Sequence, residues 1–550
     1  MATLDWIVLG IFCLGLIGII IWVVKQKDET STDYFLAGRD ATWIAIGTSI
    51  FASNIGSEHL VGLAGAGASS GMAMAHWEMH AWLILILGWV FVPFYSRSKV
   101  FTIPEFLEKR YNRGARSFLS IISMVSYVLT KVAVTVYAGG IVFKQVFGIE
   151  SMFGIDFFWI SAVGLVILTG IYTVLGGMKA VLYTSVLQTP VLLLGSIAVL
   201  IIGLIKVGGW SEVMEICRAV PVNADGDTMI NLIRSPRDPE FPWTGVILGS
   251  ALIGFWYWCT DQYIVQRVLS AKNQKEARRG TIFAGYLKLT PVFIFLIPGM
   301  IAFALNQKGI IHLPSSDSAF AVLVKELLPI GFKGLVVGGL LAALMSSLAS
   351  LFNSTATLFT VDFYKHFRSQ ASEKELVRVG RIATAIVVIL GVLWIPVMRG
   401  LGKVLYAYLQ DVQSLLAPGI AAVFLLGIAS KRTTSKAGFI GLVTGFILGM
   451  TRLGLNIFKS SLNHESLIYK IFVAPNWLHY EIIIFFIIIA LMIIVSMVTK
   501  KPDPAAIQGL YFGSSTPEQK AETRASWNKW DIINTAIILS VIVAFYIYFW

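Results

Sequence analysis

Long apolar stretches alternate with short polar ones along most of the 550-residue chain. A helix needs about 20 mostly apolar residues to cross the hydrocarbon core of a bilayer, and about fourteen stretches come close to that length. They lie near 5–24, 41–67, 74–95, 117–146, 153–174, 182–205, 244–266, 281–305, 330–363, 379–398, 404–429, 437–457, 480–499 and 531–549. The pattern predicts an all-α integral membrane protein with a single multi-pass domain over 1–550.

Lysine and arginine are concentrated in alternate connections between these stretches. The loop from Arg97 to Arg116 and the stretch from Arg267 to Arg279 carry the densest groups of cations. Because short cytoplasmic loops are enriched in Lys and Arg, we predict that these connections lie inside the cell and that both termini lie outside. We expect a plasma-membrane location, a retained leading helix at 5–24 and a cytoplasmic loop at 501–529.

Two of the apolar stretches are interrupted by polar residues near their middle. The first interruption runs over 53–59, and the second follows Gly254 and runs over 256–262. Unwound backbone is tolerated inside a membrane only where protein or a water-filled cavity satisfies it. Broken helices at corresponding positions of two halves are typical of transporters built from inverted repeats. We therefore predict five-helix repeats over 41–205 and 244–429, with further helices over 437–550.

Composition narrows the class of protein. Hydrophobic residues make up 56% of the chain and charged residues 13%, whereas soluble domains carry about 25% charged residues. The net charge of +12 is explained by cytoplasmic loops, so no nucleic acid partner is expected. The three cysteines, Cys13, Cys217 and Cys259, are too few and too scattered for a disulfide framework.

Several motifs resemble those of the sodium/solute symporters, and within them most closely the sodium/glucose cotransporters. They are Asp33-Tyr34-Phe35-Leu36-Ala37-Gly38-Arg39, Phe51-Ala52-Ser53-Asn54-Ile55-Gly56-Ser57, Thr102-Ile103-Pro104-Glu105-Phe106, Trp256-Tyr257-Trp258-Cys259-Thr260-Asp261-Gln262, Tyr286-Leu287-Lys288-Leu289, Met345-Ser346-Ser347, Phe352-Asn353-Ser354 and Ala421-Ala422-Val423-Phe424-Leu425-Leu426. The similarity extends from about residue 5 to 500. It implies a leucine-transporter-like fold and sodium-driven sugar symport by alternating access.

Charged groups within apolar stretches are costly and therefore indicate function. Glu78 and Lys288 lie in two such stretches, and a buried ion pair that only stabilises the helices is the alternative explanation. Carboxylate, ammonium, amide and imidazole groups together can satisfy hydroxyls that both donate and accept hydrogen bonds. The resemblance implies a sugar site formed by Asn54, His59, Glu78, Tyr257, Trp258, Lys288 and Gln410.

Aromatic side chains would cover the two faces of a sugar ring and act as gates. The resemblance implies an inner gate at Tyr257 and an outer gate formed by Leu63, Trp77 and Tyr406. Trp77 and Tyr406 also lie near the ends of their apolar stretches, where aromatic packing at the lipid–water interface is the alternative.

Sodium is expected as the coupling ion, with no other cofactor. Backbone carbonyls at a helix break and hydroxyls from a neighbouring helix can bind it without a fixed charge. The resemblance implies the ligands Ala52, Ile55, Ala343, Ser346 and Ser347. Some members of the family bind a second sodium ion through an aspartate, and here Ser185 and Ala349 replace two of the groups required. The sequence therefore predicts one sodium ion per sugar.

Other functions remain open at this stage. His76, Glu78 and His80 have a spacing that could hold a metal ion, but no zinc-enzyme motif accompanies them, so an enzyme is not expected. A sugar sensor or an uncoupled uniporter would share the same fold and site. A myo-inositol or other polyol transporter would need a similar set of hydroxyl-binding groups. No motif indicates an obligate protein partner.

Overall fold

The computed structural model describes residues 1–26, 28–56, 58–401 and 405–550, and the side chains within 397–412 lie outside that description. Almost all of the regular structure in the described residues is helical. The exception is a small antiparallel hairpin of Ser151–Met152 and Ile155–Asp156, in which Ser151 pairs with Asp156. The all-α prediction therefore holds for the membrane part of the chain.

Within the part of the chain that the structure describes, ten helices are long and apolar enough to cross a membrane. They are Thr3–Lys25, Gly71–Ser98, Arg113–Phe147, Phe157–Val207, Gln274–Gln307, Phe332–Phe367, Glu373–Pro396, Ser435–Ile457, Trp477–Val498 and Lys529–Tyr548. Shorter helices are Ser31–Leu36, Trp43–Asn54, Ala64–Ser69, Ile103–Arg110, Trp210–Arg218, Gln262–Leu269, Ala319–Leu327, Gln413–Ala429 within Leu405–Ala429, and Pro517–Ala525.

Ten such helices stand against the fourteen expected, and three of the four differences have physical causes; the fourth stretch, 404–429, is only partly described. The stretches predicted at 153–174 and 182–205 join in the 51-residue helix Phe157–Val207, which bends sharply at Gly177. This glycine has φ 48°, and a Cβ there would lie 2.4 Å from the carbonyl oxygen of Tyr34. The two interrupted stretches lack a continuous helix of spanning length. The count of fourteen is therefore not confirmed.

The first broken segment covers 43–69. Its initial helix, Trp43–Asn54, ends where Ile55 adopts an extended conformation with φ −77° and ψ 111°. A π-helical turn over Glu58–Leu63 then leads into Ala64–Ser69. The chain thus leaves the helix within the polar stretch that the sequence indicates.

The second broken segment covers 243–269. It runs helically from Trp243 to Thr260, leaves the helix at Asp261 with φ −82° and ψ 124°, and resumes over Gln262–Leu269. The Asp261 carboxylate accepts a hydrogen bond from the backbone N–H of Tyr263 at 3.2 Å. An aspartate at this position is a favourable helix cap because it satisfies a backbone donor that the break exposes.

Burial divides the helices into an inner and an outer set. Phe332–Phe367 is almost entirely enclosed and packs along Phe157–Val207. Thr3–Lys25, Trp477–Val498 and Lys529–Tyr548 instead present apolar side chains outwards. Apolar residues on an outer surface are stable where lipid surrounds them, so the outer helices fit a bilayer environment. The inner helices surround the two broken segments.

Candidate functional site

A cavity lies where the two broken segments meet the helices Gly71–Ser98 and Gln274–Gln307. The cavity has a volume of about 70 Å³. Its walls are formed by Asn54, Glu58, His59, Leu63, Trp77, Glu78, His80, Ile253, Gly254, Tyr257, Trp258, Lys288 and Gln413. The structure therefore brings together the six predicted sugar-site residues whose side chains it describes. Gln410 lies outside the described side chains.

An ion pair stands at the centre of the cavity wall. Lys288 Nζ donates to Glu78 Oε2 at 2.6 Å and to Asn54 Oδ1 at 3.1 Å, and all three side chains are buried. Burying two charges is costly unless good geometry and further hydrogen bonds compensate for lost hydration. The amide of Asn54 provides one such bond, so the three groups form one connected polar unit.

An aromatic wall adjoins this ion pair. Asn54 Nδ2 donates to Tyr257 Oη at 3.2 Å, and the rings of Tyr257 and Trp258 meet edge to face with centroids 4.9 Å apart. Lys288 Nζ lies 5.3 Å from the centroid of Trp258, within the range of a cation–π interaction. Polar groups and aromatic faces thus alternate around the cavity, as a ligand with hydroxyls and C–H faces would require.

Two buried side chains at the cavity have ring nitrogens that form no hydrogen bond within the described chain. His59 Nε2 lies 3.4 Å from Glu78 Oε1, but neither ring nitrogen of His59 has hydrogen-bonding geometry to a described group. The indole N–H of Trp77 is likewise unsatisfied among the described residues. A buried polar group without a partner is destabilising, so both groups are available to a ligand.

One end of the cavity is covered by the loop that follows Trp210–Arg218. Trp77 stacks on Trp477 with centroids 5.9 Å apart, and its edge faces Phe241 of this loop at the same distance. Burial acts to raise the pKa of Asp238, but hydrogen bonds from the backbone of Phe241 and Glu240 and the Asn223 amide hold it below its ordinary value. The ionised Asp238 thereby secures the loop beside Trp77.

Three of the four predicted gate residues have described side chains, and these line the cavity. Leu63 and Trp77 line the cavity, and Tyr257 forms its wall beside the second break. Tyr406 lies outside the described side chains. The assignment of an inner and an outer gate remains a prediction.

The two helices that carry the predicted sodium ligands pack against each other. Beyond Ile55 the regular bonding of Trp43–Asn54 stops, so carbonyls of its last turn are released from the helix. Ser347 Oγ lies 3.0 Å from Tyr263 Oη, and the Tyr263 hydroxyl also donates to the Ser53 carbonyl. Ser346 and Ala343 lie in the same helix as Ser347, which packs against Trp43–Asn54.

Ser185 lies beside the serine pair. Its hydroxyl donates to the Val181 carbonyl at 2.6 Å and lies 3.3 Å from Ser346 Oγ. Ser350, next to Ala349, donates to the Ser346 carbonyl and lies 2.7 Å from Ser53 Oγ. These hydroxyls are engaged with the protein and contribute no carboxylate.

The metal hypothesis has no support in the described residues. His76 Nδ1 lies 2.7 Å from Tyr546 Oη, and its Nε2 lies 2.9 Å from the Leu232 carbonyl oxygen. His80 Nε2 lies 3.2 Å from Ser250 Oγ. No group of three His, Cys, Asp or Glu residues in the described chain is arranged for metal binding.

Three polar side chains of the cavity wall were not assigned to the site from sequence. Glu58 belongs to the polar interruption, His80 was considered only as a metal ligand, and Gln413 lies one helical turn from Gln410. The position of Glu58 within an apolar stretch was a signal that could have identified it. His80 and Gln413 reach the cavity only because the helices pack as they do.

A second buried ion pair lies near the second break. Lys131 Nζ is 2.8 Å from Asp261 Oδ2, and Tyr127 donates its hydroxyl to the same carboxylate. The ammonium also lies 4.7 Å from the ring centroid of Tyr257 and 4.5 Å from that of Tyr263. The pair therefore packs against the aromatic wall at Tyr257.

The family model and the similar proteins of known function all belong to sodium-coupled transporters. A model described as the sodium:solute symporter family matches residues 34–445. The sodium/myo-inositol cotransporter of Canis lupus familiaris is 39% identical over 479 residues, which cover 81% of this chain and 65% of that protein. The sodium/myo-inositol cotransporter 2 of Oryctolagus cuniculus is 37% identical, covering 95% of this chain and 81% of that protein. Sodium/glucose cotransporter 1 of Ovis aries is also 37% identical, covering 90% and 79%.

Solved structures resemble the fold at lower sequence identity. A sodium-coupled sialic acid symporter in a substrate-bound, outward-open state has a TM-score of 0.75 and 22% identity, and the match covers 91% of this chain and 99% of that chain. The nucleobase-cation-symport-1 family transporter MHP1 has a TM-score of 0.51 and 11% identity, covering 90% and 99%. At these identities the similarity concerns the fold, which is that of leucine-transporter-like membrane transporters.

Proposed function

Because this chain belongs to the sodium:solute symporter family, we propose that it imports a small neutral polyol, such as glucose or galactose, together with sodium. The observation that carries the choice of cargo is the cavity wall around Glu78 and Lys288. There a carboxylate and an ammonium neutralise each other, while an amide, an imidazole and aromatic rings adjoin them. Such a wall offers donors, acceptors and apolar faces without a net charge from the pair itself.

Hydroxyl recognition follows from this chemistry. Each sugar hydroxyl donates and accepts, so it can bridge groups such as Glu78 and the unsatisfied ring of His59. A ligand without the hydroxyls would leave these buried groups unpaired and would bind less tightly. Trp258 would pack against the C–H face of the ring.

The sodium ion would bind between the released carbonyls of Ala52 and Ile55 and the groups of Ala343, Ser346 and Ser347. We propose a ratio of one sodium ion per polyol, because Ser185 supplies no carboxylate for a second ion. A membrane potential of 100 mV contributes roughly 2.3 kcal/mol per charge. A tenfold sodium gradient adds roughly 1.4 kcal/mol, which together supports accumulation on the order of several hundredfold.

Myo-inositol is a second candidate cargo. Two of the relatives described above are sodium/myo-inositol cotransporters, and a cyclic hexol presents hydroxyls much as a hexose does. This chain spans 65% of the length of the first of those relatives, so its complete activity is part of the proposal. A sensor or an uncoupled uniporter would bind the same ligand without accumulating it.

Uptake into proteoliposomes tests the proposal. Labelled glucose, galactose and myo-inositol are supplied with an inward sodium gradient, and then with potassium in its place. We expect one polyol to accumulate above equilibrium only with sodium, to a level that fits one ion per molecule. Glu78→Gln and Ser347→Ala should abolish accumulation.

A matched control variant shows whether a loss of uptake comes from the site or from a loss of the fold. Thr355→Ala removes a buried hydroxyl from the same helix as Ser347, and that hydroxyl donates to the Leu351 carbonyl at 2.7 Å. Its uptake should equal that of the wild-type chain. Binding without accumulation would favour the sensor or uniporter, and accumulation of none of the three polyols would show that the cargo is wrong.

A further inference from the structure

Glu58 is a second carboxylate on the wall of the cavity. Its side chain is half-buried and lines the cavity together with Glu78. Lys288 is already bound to Glu78 at 2.6 Å, and no hydrogen bond or ion pair to the Glu58 carboxylate is found within the described ranges. An unpaired charge at membrane depth is unfavourable. Among the described residues, therefore, no group pairs with this second carboxylate of the cavity wall.

The position of this carboxylate relates it to the predicted sodium ligands. A Cβ built on Gly56 would lie 2.6 Å from Glu58 Oε2 and 3.4 Å from Ser347 Oγ. The carboxylate oxygen and the serine hydroxyl thus both lie within 3.4 Å of one point at the first break. Ile55, whose carbonyl is a predicted ligand, directly precedes that glycine.

Within the described part of the chain, no basic side chain lies within ion-pair distance of the Glu58 carboxylate. Lys131 pairs with Asp261 at 2.8 Å, and Arg267 donates to Ser53 Oγ at 2.8 Å. A cation that balances Glu58 would therefore enter from solution. Carboxylate, hydroxyl and carbonyl oxygens are the donors that hard cations prefer.

We propose that the Glu58 carboxylate is a direct ligand of the coupling sodium ion, joining the ion to the substrate cavity. The inference rests on the proposed sodium site at Ile55, Ser346 and Ser347, and adds to it a fixed negative charge. A sodium site that includes this carboxylate differs from a site built only of neutral oxygen ligands.

The same carboxylate would couple the ion to the substrate. Glu58 lines the same cavity as Lys288 and Tyr257. Without sodium its charge competes with Glu78 for the Lys288 ammonium, and with sodium that competition ends. Because binding free energies are reciprocally linked, sodium would raise polyol affinity and polyol would raise sodium affinity.

Equilibrium binding of radiolabelled sodium to the full chain in detergent, without polyol, tests the proposal. We expect Glu58→Gln to raise the sodium Kd by at least about tenfold, as the loss of one charge-assisted contact implies. Glu58→Asp, which keeps the charge, should fall between Glu58→Gln and the wild-type chain. Glu481→Gln is the matched control, because Glu481 is a buried glutamate that does not line the cavity.

A double variant decides whether one ion is involved. If Glu58 and Ser347 share an ion, Glu58→Gln combined with Ser347→Ala should weaken sodium binding by less than the product of the two single effects. Polyol binding at saturating sodium shows that each variant is folded. Unchanged sodium affinity in Glu58→Gln, with Ser347→Ala impaired, would overturn the role of Glu58 and leave the proposed function intact. Unchanged affinity in Ser347→Ala would instead refute the proposed sodium site.

Discussion

At the scale of single residues, the cavity wall contains two carboxylates whose surroundings differ. Glu78 is paired with Lys288, which also donates to Asn54, whereas Glu58 faces the cavity without a described partner. The neutralised carboxylate suits a neutral ligand, and the unbalanced one suits a cation. Two acidic side chains on one wall can therefore serve different ligands because their surroundings differ.

This difference predicts how polyol binding responds to Glu78→Gln. The substitution keeps the shape but removes the charge that strengthens hydrogen bonds to Lys288 and to hydroxyls. We expect polyol affinity at saturating sodium to fall by roughly 10- to 100-fold, which corresponds to about 1.5–3 kcal/mol. Equilibrium binding of labelled polyol to the purified chain measures the effect. Glu481→Gln should leave it unchanged, and an unaltered affinity in Glu78→Gln would remove that residue from the site.

At the scale of elements, each break depends on side chains from other helices. Asp261 caps the helix that follows the second break, accepts the Tyr127 hydroxyl and pairs with Lys131. The break is thus stabilised by a helix more than a hundred positions earlier in the chain. At the first break, Tyr263 from the second broken segment donates to the Ser53 carbonyl. The two interruptions therefore stabilise each other.

The Lys131–Asp261 pair is expected to stabilise the fold. Lys131→Met or Asp261→Asn alone leaves one buried charge unpaired, which costs about 3–5 kcal/mol. We expect a clear fall in the midpoint of thermal unfolding in detergent for each single variant. Asn also caps helices well, so Asp261→Asn tests the charge and not the cap. The double variant removes both charges and should recover much of the loss; equal instability of all three would mean that the pair itself is not the cause.

At the scale of the whole molecule, the polar connections gather into two groups. Ala41 hydrogen-bonds with Ser270 and Lys272, and Gln274 donates to Glu522 at 3.2 Å. These contacts join three connections between helices that we predicted to be cytoplasmic. Elsewhere, Leu232 N–H donates to the Phe549 carbonyl at 3.0 Å, and the backbone N–H of Gly331 donates to Asp5 at 2.7 Å. Both termini thus lie against connections predicted to be outside.

This arrangement makes the orientation testable. A cysteine added after Trp550 should react with a membrane-impermeant maleimide in intact cells. Lys272→Cys, at an exposed position in a predicted cytoplasmic connection, should react only after permeabilisation. The reason is the excess of Lys and Arg in the connections we assign to the cytoplasm. The opposite labelling pattern would reverse the orientation. The repeat boundaries at 41–205 and 244–429 remain a prediction.

The sequence by itself determined the class, because a chain with so many spanning apolar stretches and so few charges can bury its surface only in lipid. It also located both interruptions, since polar residues and glycine within an apolar stretch oppose a continuous helix. Glu78 and Lys288 were identifiable for the same reason: a charge at membrane depth needs a partner or a ligand.

The tertiary structure alone decided which of these groups share a wall. His80 and Gln413 have no sequence signal for the cavity, because their exposure to it depends on how separate helices pack. Whether Glu58 has a partner likewise depends on Lys288, which lies 230 positions away and is bound by Glu78. The sequence gives the type of each ionisable side chain. Whether that side chain has an ion-pair partner depends on residues that only folding brings within a few ångströms.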